Sequence, residues 1–64
     1  MTDRERAVRK IEAARRRLER AQASVRGGRY AEAIALLDAA WAFEGMARLL
    51  LGSFMRSTEK RDDA

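Results

Sequence analysis

Gly27-Gly28 is the one adjacent glycine pair in a chain that contains no proline. It lies between two long stretches of helix-favouring sequence. Glycine takes the left-handed conformation that ends a helix at little steric cost, and Arg26 just before the pair suits the negative end of the helix dipole. Only Arg29 separates the pair from the next apolar run, RYAEAIALLDAA. So short a link leaves the second segment no course but to fold back antiparallel. The pair therefore predicts an all-α hairpin, with a helix over 3–26, a turn at Gly27-Gly28 and a helix over 29–56. The polar remainder, 57–64 (STEKRDDA), is expected to be a disordered tail.

Composition supports helices. Ala, Leu, Arg and Glu are abundant and clusters of β-branched residues are missing. Thr2 followed by Glu5 matches a capping box, and the acids Asp3 and Glu5 suit the positive helix end. From Ala7 the first helix carries Ile11, Ala14, Leu18, Ala21 and Val25 at alternating spacings of four and three. That is a heptad seam in which small and larger apolar residues alternate. Most of its other positions are charged. Glu5–Arg9, Glu12–Arg16 and Arg15–Glu19 are expected as i,i+4 pairs, each contributing a few tenths of a kcal/mol.

The second helix holds the only Trp, the only Tyr and both Phe residues. One row runs Ala33, Leu36, Ala40, Phe43, Ala47, Leu50 and Phe54. The other runs Ile34, Leu37, Trp41, Glu44, Arg48, Leu51 and Met55. Together they cover an arc of roughly 200°, about twice what an amphipathic surface helix needs. A single narrow helix cannot shield that arc. The expected intra-hairpin core is Ile11, Leu18, Val25, Leu36, Phe43, Leu50 and Phe54. That leaves Leu37, Trp41, Glu44, Arg48, Leu51 and Met55 as the expected oligomer interface, because a long exposed apolar strip marks an association surface; the reverse assignment of the two rows is the alternative.

Size points the same way. A chain of 64 residues buries only roughly 60% of its unfolded surface. Disulfides, metals or oligomerisation usually compensate in so small a domain. There is no Cys and no His, which removes disulfides and the usual zinc or copper ligands. A homodimer or tetramer with the second helices inside, making a four-helix bundle, would bury both rows, and twofold symmetry is its commonest form.

Glu44 and Arg48 interrupt the second row four residues apart. They suit an intrahelical ion pair, and in a symmetric antiparallel dimer they could also pair across the interface. Gly45 and Gly52, on one edge of the same helix, suggest a backbone approaching closely there. The net charge of +4 is uneven. Through Arg29, ten Lys/Arg stand against four Asp/Glu, a net +6. Arg9, Arg15, Arg16, Arg17 and Arg20 thus form a candidate phosphate-contacting face for nucleic acid, although that helix has no aromatic residue to stack on bases.

GRYAEAIALLDAA is similar to the junction between the two helices of a tetratricopeptide repeat, which reads G-x-Y-x-x-A-I. Extended through WAFEGMARLLLG, it also resembles the HEPN family of small helical nucleotide- and RNA-associated proteins. That family's ribonuclease motif is an Arg followed later by a His. Arg48 matches the Arg by position, and with no His in the chain the likeness implies a non-nucleolytic relative. Lys10-Ile11-Glu12 and Arg29-Tyr30 resemble, at altered spacing, the copper-sensing repressors that form dimeric four-helix assemblies, without their Cys and His ligands. All three resemblances imply an antiparallel helical hairpin.

The functional expectation is a non-enzymatic protein-interaction, scaffold or regulatory protein that self-associates through its second helix. A possible protein partner comes with that reading, and a nucleic-acid-binding regulator is the alternative. No paired carboxylates, nucleophile–base motif or Gly-rich phosphate loop occurs, so an enzyme, a cofactor and a metal are not expected. No membrane span is expected, because Asp38, Glu44 and Arg48 interrupt the apolar stretch. The N-terminus has no secretory pattern, and a cytoplasmic location is the expectation.

Overall fold

The computed structural model describes the backbone of residues 2–62 and the side chains of residues 2–56. Two helices, α1 (Asp3–Arg26) and α2 (Tyr30–Asp62), pack antiparallel as a hairpin. The molecule is a rod of 55 × 17 × 13 Å. The all-α fold and the bounds of α1 are as predicted from the sequence.

Both ends of α1 are capped as the sequence suggests, with one change. The Thr2 hydroxyl oxygen accepts a hydrogen bond from the Glu5 backbone N–H at 3.1 Å. This satisfies one of the donors that a helix start leaves open. At the other end, the Arg29 N–H donates to the Ser24 carbonyl at 2.8 Å and the Gly28 N–H to the Val25 carbonyl at 3.0 Å. This bond pair is the Schellman closure. Its left-handed residue is Gly28, at φ 75°, whereas Gly27 sits at φ −88°. The second glycine makes the turn.

α2 runs past its predicted end at 56 and stays helical to Asp62. No Gly or Pro stands between Ser53 and Asp62 to stop it. The expected disordered tail is therefore helical backbone as far as Asp62, and its remainder, Asp63 and Ala64, lies outside the described residues.

The core is an alanine seam. Ala7, Ala14 and Ala21 of α1 are buried against Ala33, Ala40 and Ala47 of α2, and each set repeats every seven residues. Leu36, at 9% exposure, is the one large apolar side chain among the buried residues. Small side chains let the two helices approach closely, but a methyl group contributes only about 0.8 kcal/mol of burial. The close approach pushes large neighbours out to the flanks.

This corrects the predicted core. Ile11, Leu18 and Val25 are 50%, 43% and 50% exposed, and Phe54 is also exposed. Phe43 and Leu50 are half-buried. The first three share one heptad position beside the alanines, so they edge the seam instead of filling it. Phe54 lies one heptad beyond Ala47, at the level where α1 begins.

Gly45 and Gly52 do not admit α1. A methyl group built on Gly45 would meet nothing within 4 Å, and one on Gly52 would meet only an Arg56 guanidinium nitrogen at 3.5 Å. Both sit on the side of α2 turned away from the seam.

Candidate interaction face

The two flanks of the alanine seam differ. On one, cations from α1 cover aromatic rings of α2. Arg17 stands 5.2 Å and Lys10 5.6 Å from the Phe43 ring centre. At these distances their charged ends meet the face of the ring. Arg4 sits 5.7 Å from the ring of Phe54 at the open end of the rod. Sequence reasoning placed Arg17 on a nucleic-acid face and missed this role. The available signal is that Lys10 and Arg17 are one heptad apart, beside Ala14.

Near the turn, Ser24 is the buried polar residue. Its hydroxyl donates to the Glu32 carboxylate at 3.2 Å, and the Arg29 guanidinium donates to the same oxygen at 2.9 Å. The Arg29 bond, followed by the Ser24 bond, lowers the Glu32 carboxyl below its ordinary value of 4.5, against a smaller opposing effect of desolvation. This cluster ties the start of α2 to the end of α1. It was not predicted, since Ser24 reads in the sequence as an unremarkable polar residue.

The other flank is open. Ile11, Leu18 and Val25 of α1 face the same side as Leu37, Glu44 and Leu51 of α2. Ile11 lines a shallow groove with Glu44, Ala47, Arg48 and Leu51. Leu18 and Val25 line another with Ala21 and Leu37. Farther round α2, Ile34, Trp41 and Met55 are 60%, 75% and 62% exposed. The structure thus joins the large members of the α1 seam to the second row of α2, two groups that the sequence assigned to different surfaces. The result is one apolar strip along the rod.

Charges within this architecture are mostly solvated. Among the described residues, the ion pairs are Arg6–Asp3 at 3.9 Å, Arg15–Glu19 at 3.2 Å and Arg29–Glu32 at 2.9 Å. Of the three predicted pairs in α1 only Arg15–Glu19 forms. Glu5–Arg9 and Glu12–Arg16 stay apart, as suits exposed pairs whose net worth is close to zero. Glu44–Arg48 does not form either, and both side chains are exposed. Arg9, Arg16 and Arg20 are exposed and likewise make no ion pair among the described residues. Two of the five predicted phosphate contacts are thus engaged elsewhere, Arg15 by Glu19 and Arg17 by Phe43.

Among the described residues, no group of three or more acidic, His or Cys side chains could hold a metal, and no helix is long and apolar enough to cross a membrane. Compared with known proteins, no family model matches the chain, and neither a curated protein nor a solved structure matches it. The likenesses around Gly28-Arg29-Tyr30 therefore assign no family.

Proposed function

We propose that this chain is a non-enzymatic interaction protein, a scaffold or small regulator, that self-associates through the open flank of its hairpin to form a four-helix assembly. The observation that carries the reading is the apolar strip of Leu37, Trp41, Leu51 and Met55, edged by Ile11, Leu18 and Val25, beside a core made almost wholly of alanine. So much apolar surface on so small a rod is the mark of an association surface. A second copy supplies the same strip and satisfies the twofold arrangement commonest in such assemblies. Sedimentation equilibrium at micromolar concentration is expected to show a dimer or tetramer, with a melting temperature that rises with concentration. A folded monomer with a concentration-independent melt would overturn this reading.

A second reading, binding of nucleic acid, is favoured by Arg9, Arg16 and Arg20, which are exposed and make no ion pair among the described residues, although Arg20 lies near enough to Glu32 to favour its ionised form. Phosphate contacts of this kind weaken steeply with salt. Changing all three to Gln is expected to abolish low-salt retention of duplex DNA or RNA. Unchanged affinity in that variant would remove the reading.

A further inference from the structure

Leu37, Trp41, Glu44, Arg48, Leu51 and Met55 follow one another along α2 at spacings of four, three, four, three and four. That is the pattern of a coiled-coil seam. Its two central members are charged, and their charges are opposite. Within the chain neither is paired, among the described residues. The α1 residue that shares their groove, Ile11, has no polar group to offer them.

We propose that the occupant of this seam is a second copy of the chain, lying antiparallel, in the register that sets Glu44 of each copy against Arg48 of the other. The proposal rests on the self-association reading above and adds its direction and register. The charges decide both. A parallel pair would set Glu44 on Glu44 and Arg48 on Arg48, and juxtaposed like charges oppose association. An antiparallel pair can slide by whole heptads. Sliding one way from the stated register sets Glu44 against Trp41 and Arg48 against Leu37. Sliding the other way sets Glu44 against Met55 and Arg48 against Leu51. Both alternatives press unpaired charges onto apolar side chains, where desolvation is not offset. In the stated register every position meets its own kind: Leu37 packs on Met55, Trp41 on Leu51, and the two ion pairs bracket the twofold axis.

Helix length supports the same register independently. The axis between Glu44 and Arg48 falls at Met46, which is also the midpoint of α2 from Tyr30 to Asp62. The two copies of α2 would overlap over their whole length. The part of α2 that continues beyond the start of α1 would then lie along the other copy.

Charge reversal tests the register. Glu44→Arg alone places Arg against Arg at both ends of the axis, and Arg48→Glu alone places Glu against Glu. Each variant is expected to self-associate at least about tenfold more weakly than the parent chain, since opposed like charges disfavour an interface. An equimolar mixture of the two sets Arg against Glu at both contacts, and is expected to recover association as a heterodimer. The double variant Glu44→Arg/Arg48→Glu is expected to recover it alone. Helicity by circular dichroism follows each sample, so that a variant which unfolds alone still reports through its rescue in the mixture. If the parent associates and the mixture shows no preference for the heterodimer, the register is wrong while self-association stands; the strip of Ile11, Leu18 and Val25 on α1 would then be the meeting surface. If the parent chain is monomeric, the self-association reading falls, and the register with it.

Discussion

Glu32 shows how one residue can hold a small fold closed. It receives Ser24 from α1 and Arg29 from the turn on a single carboxylate oxygen, and both bonds favour the ionised form. Its carboxyl is therefore more acidic in the hairpin than in the unfolded chain. With a depressed folded value, the unfolded chain takes up the proton first. The stabilisation is present above the ordinary value of 4.5 and is lost as pH falls through the folded value. Thermal melts across that acidic range are expected to show the parent chain losing more stability than Glu32→Gln, because the other carboxylates titrate alike in both. Parallel pH profiles for the two would remove Glu32 from this role. Its exposure keeps the effect modest in salt. The residue-scale features were unevenly legible. Thr2 announces itself by its spacing to Glu5, whereas Ser24 and Glu32 are far apart in sequence and meet only once the hairpin has closed.

The turn and the two helices carry most of what could be read ahead of the structure. Heptad spacing gave the seam, and the glycine pair gave the reversal. What spacing does not give is which member of an alternating small-and-large seam goes to the centre. Ala7, Ala14 and Ala21 took it because two rows of methyl groups let the helices approach, which excluded Ile11, Leu18 and Val25 from between them. Periodicity marks a face, and depth within that face depends on how near the partner comes. The glycines separate cleanly on this scale. Gly28→Ala forces a side chain into the left-handed region at φ 75° and is expected to destabilise the hairpin by about 1–2 kcal/mol. Gly45→Ala enters open space and is expected to stabilise α2 by roughly 0.5–1 kcal/mol. Chemical denaturation of the two variants checks both signs. A destabilising Gly45→Ala would mean that another chain packs against that side of α2.

Across the whole molecule, the apolar material is distributed unlike that of a domain that folds for itself. Nearly everything buried is alanine, and nearly everything large is on a flank. The favourable burial available within one hairpin is therefore small, and the proposed association has the larger share to supply. Trp41→Glu puts a charge at the most exposed aromatic of the strip, at 75%. It is expected to shift sedimentation towards monomer and to lower the melting temperature together. A shift in neither would separate Trp41 from the association surface. The sequence showed that α2 has too much apolar surface for one neighbour. It did not show that α1 adds three residues to the same side, because that depends on which way the hairpin faces when it closes.

Lys10 and Arg17, lying over Phe43, have a further consequence for how far an assembly of this chain can grow. A rod that is adhesive along both flanks can add copies on either side without limit, and such contacts end in sheets or fibres. Here one flank presents cations wherever a ring would otherwise invite a neighbour, and two such flanks brought together repel. Repulsion there biases further growth towards the open side, which favours a small closed assembly over an extended one.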